Sequence, residues 1–264
     1  MSTEIKMTIC TPTHEMGGLG ATFLTKSFNI LMNQSFKNFD IVVSDHSKND
    51  EIKNLCESYK GKLNVHYHRN TENIGSSSAN INNAITKASG QLIKILFLDD
   101  FLYTNTSLEE IVQNFDLEND KWLITACEHS KDGKTFYRPF YPKYNKYIYL
   151  GNNTISSPSV LTIKNDHPLL FDEKLVWLMD CDYYKRCYDT FGDPKILNTV
   201  NVVNMTGEHQ GVGGYKNKDK KATNLTKKNE LLYVLKKYKH TILFIKFSLF
   251  LNDLKSFIKN LIHK

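Results

Sequence analysis

Most of the features that would assign this 264-residue chain to a class at once are missing. No run of about 18 apolar residues occurs, so no segment is expected to cross a membrane. The opening MSTEIKMTICTPT carries acid and lysine but no long apolar stretch, so no signal peptide is expected. The five cysteines (Cys10, Cys56, Cys127, Cys181, Cys187) are odd in number and scattered, with no CxxC or CxxH spacing. That excludes a zinc ribbon and a disulfide framework, and it suggests free thiols in a reducing, cytoplasmic compartment. The Gly17-Gly18-Leu19-Gly20 run lacks GxGxxG spacing and is weak support for a dinucleotide site. With 41% hydrophobic and 23% charged residues the composition excludes disorder.

Charge is present, but unevenly. From Lys216 to Lys264 thirteen lysines face three acids, a net of +10, which leaves −4 for the rest of a chain whose formal charge is +6. An acidic body with a basic tail suggests that the tail meets something anionic. Nucleic acid is not expected as a partner, because the tail has no aromatics interleaved on a sheet and no reading helix. The stretch 241–263 is apolar but broken by Lys246, Asp253, Lys255 and Lys259, and its spacing gives an amphipathic helix with a basic face. Such a helix suits an anionic membrane surface, although packing on the protein is the alternative.

The first hundred residues alternate in period. Strands are expected at 6–11, 40–44, 63–68 and 92–98, and helices at 23–34, 51–59 and 76–88. This pattern implies an α/β fold with a mostly parallel central sheet flanked by helices. Further strands are expected at 121–128, 159–164 and 198–205, a loop at 137–149, and helices at 179–191, 229–237 and 241–263. Ligands of such sheets bind beyond the carboxyl ends of the strands, and polar residues cluster there.

Five clusters carry chemistry. Thr11, Thr13 and Glu15 follow the first strand and Asp45 the second, where hydroxyls and a carboxylate can bond a base and a ribose or cap a helix. Asn73, Gly75 and Ser78 lie at a strand-to-helix turn, where a glycine permits close backbone approach to a nucleotide, or where the serines simply cap. Asp99-Asp100 ends the apolar run LIKILFL; adjacent carboxylates there repel unless a cation or donor neutralises them, and oxygen ligands suit Mn2+ or Mg2+. Asp180 and Asp182 open a helix, as caps or, for Asp180, as a general base. His209, in a Gly-rich stretch, completes a metal site or is an ordinary surface histidine.

In this order the residues resemble family-2 glycosyltransferases of the GT-A fold. Residues 33–45, NQSFKNFDIVVSD, resemble that family's NQ-[ST]-[YF]-x-N-[FW]-E block, Asn73-x-Gly75 its N-x-G turn, and Phe97-Leu98-Asp99-Asp100 a shortened DxD motif. Leu178-Met179-Asp180-Cys181-Asp182 resembles its E-D-x-[DE] motif, with Met179 in place of the glutamate. The resemblance implies a Rossmann-like GT-A domain at 1–215, with a nucleotide-binding half at 1–100 and an acceptor half at 101–215, and a helical tail at 216–264. It implies that Thr11, Thr13, Glu15, Asp45, Asn73, Gly75, Ser78 and Asp99 hold the donor, that Asp100 and His209 hold Mn2+ or Mg2+, and that Asp180 is the base. The expected activity is inverting transfer from a nucleoside-diphosphate sugar, UDP-linked, to a glycan or lipid-linked acceptor in cell-surface polysaccharide synthesis. The expected location is cytoplasmic, peripheral on the inner membrane face through 241–263. The rivals are a nucleotidyltransferase, which would show Gly-rich, Arg/Lys-bearing triphosphate signals near the first strand, and a non-catalytic, membrane-tethered nucleotide-sugar-binding protein.

Overall fold

A computed structural model describes residues 6–207 and 220–241, together with 244, 247, 248, 250 and 251. His209 and most of the stretch 241–263 lie outside the described residues.

The first half follows the alternation in the sequence: β1 (Met7–Thr13), α1 (Gly20–Met32), β2 (Phe39–Asp45), α2 (Glu51–Ser58), β3 (Val65–Arg69), α3 (Ser77–Ile85) and β4 (Leu92–Ile95). All seven residues of β1 are buried, as a run covered on both faces requires. On α1, Leu24, Phe28 and Leu31 recur at helical spacing and are buried in the core. Truncating Phe28 to alanine would remove about 3–5 kcal/mol. β1 pairs in parallel with β2 and β4, and β2 with β3.

β1 runs two residues further than the sequence suggests, taking in Pro12 and Thr13. The β1–β4 ladder stops at Cys10↔Ile95, whereas β1–β2 continues to Thr13↔Asp45. Beyond Cys10 the strand is paired on one side only, which tolerates a proline without an N–H.

The second half adds β5 (Phe101–Leu102), α4 (Ser107–Asn114), β6 (Trp122–Ser130), β7 (Phe136–Phe140), β8 (Leu161–Lys164), α5 (Met179–Phe191), β9 (Lys195–Met205) and α6 (Lys220–Lys237). The described strands form one sheet in the order β3-β2-β1-β4-β8-β6-β9-β5, with β7 on β6. Here β8 is antiparallel to β4 and β6, and β9 parallel to β6. The sheet is thus parallel in its first half and mixed in its second.

Part of the expected loop 137–149 is strand β7. The turn before it is held by Asp132, whose carboxylate accepts the amides of Lys134 and Thr135, both at 2.8 Å, with Gly133 at φ +71°. The Asp-Gly pair is the hairpin signal that marks it.

α6 begins well before the expected 229 and is docked. Leu231, Val234 and Leu235 are buried, and Lys237 bridges Asp172 at 2.7 Å and Asp182 at 2.8 Å.

Candidate active site

The carboxyl ends of β1 and β4, the turn before α3, residues 156–158, the segment leading into α5 and the end of β9 enclose a cleft of about 670 Å³. Glu15, Gly75, Asp99, Asp100 and Asp180 all line it. Gly20 allows the turn after β1 to close: a Cβ there would sit 2.2 Å from the carbonyl oxygen of His14.

The paired aspartates follow β4 on a turn closed by the Asp100 amide donating to the Phe97 carbonyl, 3.0 Å. Asp100 is 5% exposed, and protein donors surround it. Its Oδ2 accepts from the Ser157 hydroxyl and the Asn204 amide, each at 3.0 Å, and its Oδ1 from the Met205 N–H at 3.0 Å. The Ser159 hydroxyl donates to it as well, and itself accepts the Phe97 amide at 2.9 Å. Asp99 differs: its carboxylate is partly exposed and has no donor apart from its own amide among the described residues.

Burial raises both carboxyls, and for Asp99 the charge of Asp100 adds to the rise. Without a counter-charge the pair therefore resists double ionisation. Lys94, fully buried on β4, donates to the carbonyls of Ser159 and Leu161, and burial pulls its ammonium down to about 7 against the opposing pull of Asp100. A hard divalent cation fits the remaining need. Asp99 offers an unspent carboxylate, whereas Asp100 already accepts from four protein donors and would give one up to reach a cation. Among the described residues no group of three His, Cys, Asp or Glu side chains is placed to hold a metal ion.

Asp180 stands in the first turn of α5. Its Oδ2 accepts from the Asn153 side-chain amide at 2.6 Å and its Oδ1 from the Cys181 N–H at 2.7 Å. Asn153 is oriented by its own oxygen, which accepts the amides of Ile155 and Ser156, both at 2.9 Å. Burial pushes the Asp180 carboxyl up to about 6, against the lowering effect of these bonds. Asp182, two residues on, projects from the opposite side of the helix. It is fully buried and held by Arg186 at 2.8 Å, Lys237 and the Tyr238 hydroxyl at 3.0 Å. Only Asp180 of the two faces the cleft.

At the other end the structure brings fewer of the sequence candidates to the cleft. Asp45 is fully buried, its Oδ1 accepting from Thr13 at 3.2 Å and from the Ser47 hydroxyl and amide at 2.6 and 2.9 Å, and its Oδ2 from the Tyr67 hydroxyl at 2.8 Å. Thr11 is buried in the strand with no partner for its hydroxyl among the described residues. Ser78 turns away and donates to the Leu175 carbonyl at 2.9 Å; its neighbour Ser77 lines the cleft instead. Asn73 is exposed in a left-handed conformation and donates to Glu173 at 2.6 Å.

Residues that the sequence reading did not single out complete the site. Asn80 lines the cleft and donates to the Thr13 carbonyl at 2.9 Å. His46 accepts the Gly75 amide at Nδ1, 3.3 Å, and donates from Nε2 to the Glu72 carbonyl, 3.2 Å; burial lowers its pKa and keeps it neutral. Asn153, Ser157, Asn204 and Trp177 act from segments distant in sequence. The one legible hint was Lys94, a lone lysine inside an apolar run.

The profile of the family described as "Glycosyl transferase family 2" matches residues 8–182. The chain is 26% identical over 174 residues to an uncharacterized glycosyltransferase of Methanocaldococcus jannaschii, covering 62% of this chain and 59% of that one. It is 30% identical over 129 residues to the GalNAc(5)-diNAcBac-PP-undecaprenol beta-1,3-glucosyltransferase of Campylobacter jejuni, covering 48% of this chain and 40% of that one. The chain therefore spans about half the length of these curated relatives. S. aureus TarS in complex with UDP superposes with a TM-score of 0.63 at 18% identity, over 88% of this chain and 65% of that one. The mannosyltransferase PcManGT of Pyrobaculum calidifontis, in complex with GDP-Man and Mn2+, gives 0.58 at 15% identity, over 90% and 65%. At these identities the likeness is one of fold, and the fold is GT-A.

Proposed function

The chain belongs to glycosyl transferase family 2, and from that premise we propose that it moves a glycosyl group from a nucleoside-diphosphate sugar, UDP-linked, to a hydroxyl of a glycan or lipid-linked acceptor, with inversion. The observation that carries this reading is that Asp99 and Asp180, two carboxylates with acceptor capacity to spare, line one cleft at the strand ends. A single base is enough for inversion, because the acceptor oxygen displaces the nucleotide directly.

Asp180 is that base. A carboxyl pushed up to about 6 is ionised near neutral pH yet basic enough to take a proton from an alcohol as it attacks. Asn153 fixes its orientation. Asp100, the residue expected to hold the cation, is set in place by Ser157, Asn204 and Met205, and Asp99, expected to meet the donor, is the freer carboxylate and takes the cation as well. Mn2+ or Mg2+ held there supplies charge to stabilise the departing diphosphate. His209 is retained as a candidate third ligand.

Glu15, Gly75 and Ser77 form the donor wall, and the Gly75 backbone, at φ +88°, is where a nucleotide approaches closely. Asp45 braces that wall from behind through its bonds from Thr13, Ser47 and Tyr67, and Thr11 acts only by packing in the strand. The catalytic unit is 1–215 with α6 docked on it. UDP as the nucleotide is supported by the UDP complex of TarS, and a lipid-linked acceptor by the undecaprenol named for the Campylobacter relative. No helix among the described residues is long and apolar enough to cross a membrane, and a peripheral site would use the stretch 241–263.

Thermal denaturation with UDP, GDP, CMP and dTDP, each with and without Mn2+, tests the donor site. Stabilisation by UDP that requires Mn2+ is expected. Equal stabilisation without the metal would remove the cation from the reading, and no shift with any nucleotide would remove the donor site.

A further inference from the structure

α6 carries two side chains aimed at a single residue of the cleft wall. Glu230 is 5% exposed, yet it is a carboxylate on an otherwise basic helix. Its Oε1 accepts the Val176 amide at 3.1 Å, and its Oε2 accepts the Trp177 and Leu178 amides at 2.9 and 3.0 Å. Three consecutive N–H groups just before α5 are thus satisfied by an anion from a distant helix, which locks that backbone. Three residues earlier on α6, on the same face, Lys227 places its ammonium 4.0 Å from the centroid of the Trp177 ring. Trp177 itself is half-buried and lines the cleft, three residues before Asp180.

Trp177 is thus held by its backbone through Glu230 and by its ring against Lys227, and it lines the cleft three residues before the candidate base. The chemistry that fits is a pyranose, whose axial C–H face stacks on an indole while its hydroxyls reach polar neighbours. We propose that Trp177 is the platform for the acceptor sugar, and that Glu230 of α6 is the positioning residue that presents it. This rests on the glycosyl-transfer reading and adds a subsite to it. The helix that the charge pattern marks as the start of a tail is then part of the acceptor site.

The chain has two tryptophans, and Trp122 is 1% exposed with its indole N–H bonded to the Gly192 carbonyl at 3.0 Å. Fluorescence quenching therefore reports on Trp177. The full chain, held with UDP and Mn2+, is titrated with methyl β-D-glucopyranoside, methyl N-acetyl-β-D-glucosaminide and methyl β-D-galactopyranoside. At least one glycoside is expected to quench saturably. Its affinity, followed by NMR line broadening of the glycoside so that it is read without the tryptophan, should fall about tenfold in Trp177→Ala and less in Trp177→Phe. Glu230→Gln should weaken the glycoside several-fold while the thermal shift by UDP and Mn2+ is unchanged. Lys237→Met, which loosens α6 without touching residues 176–178, should lower Tm but leave glycoside affinity unmoved. No quenching by any glycoside in the wild type, or equal affinity in Trp177→Ala, overturns the platform. Equal glycoside losses in Lys237→Met and Glu230→Gln overturn the specific role of Glu230. Trp177→Phe keeps the Glu230 bonds, so the platform stays testable if Glu230→Gln fails to fold. Loss of the UDP shift in the wild type would instead count against the donor reading.

Discussion

Replacing Asp180 by asparagine should slow the enzyme and stabilise the fold at the same time. The folded protein holds the Asp180 proton more tightly than the unfolded chain, about 6 against an ordinary value of 3.8. The group therefore costs stability as pH rises from about 3.8 to about 6, and costs a constant amount above that. At about 1.4 kcal/mol per pH unit the penalty is about 3 kcal/mol at pH 8 and about 1.5 kcal/mol at pH 5. Asparagine carries no charge and keeps an oxygen for the Asn153 amide, but it turns its NH2 toward the Cys181 N–H, which takes back about 1–3 kcal/mol. The variant should gain up to about 5 °C in Tm at pH 8 and little or nothing at pH 5. Its turnover should fall by about 10²–10⁴, the usual worth of a general base. Thermal melts at the two pH values and initial rates of UDP release measure both. A variant less stable than wild type at pH 8, or one within about threefold of its rate, would show that Asp180 is a structural cap.

The remaining predictions use other parts of the site. Asp99→Asn should abolish the Mn2+-dependent shift by UDP at little cost to Tm. Asp100→Ala should lower Tm by stranding the Ser157, Asn204 and Met205 donors, about 1–3 kcal/mol, and calorimetry without ligand separates the two. Gly20→Ala places a methyl 2.2 Å from the His14 oxygen and should cost more than about 2 kcal/mol, whereas Gly75→Ala, with no neighbour within 4 Å but φ at +88°, should cost about 1 kcal/mol; urea melts rank them. kcat/KM should rise tenfold per pH unit below about pH 6 and level off above it, as the Asp180 base ionises.

The parallel half of the fold was legible because most of its strands are short apolar runs set between helical periods, with the candidate carboxylates Asp99 and Asp100 following one of them and Asp180 opening a later helix. In the second half β6, β8, α5 and β9 were legible, whereas β5, α4 and β7 were not. β7 is exposed along nearly its whole length and carries no alternation, so its Tyr- and Pro-containing sequence reads as a loop. β5 is two residues long, too short for any period to appear. Hydroxyl and carboxylate side chains near a strand end look alike in sequence whether they face a ligand or the sheet, and only packing separates Glu15 and Gly75 from Thr11, Thr13 and Asp45. The Glu230 contact joins residues more than fifty apart, which no local pattern reports.

The most direct test of the account is the anomeric configuration of the product. The full chain is given an α-linked UDP-sugar, Mn2+ and a methyl glycoside, and the new linkage is read from its proton coupling by NMR. A β-linkage, lost in Asp180→Asn, is the result predicted for direct displacement with one base. An α-linkage, or turnover that survives that substitution, would contradict it.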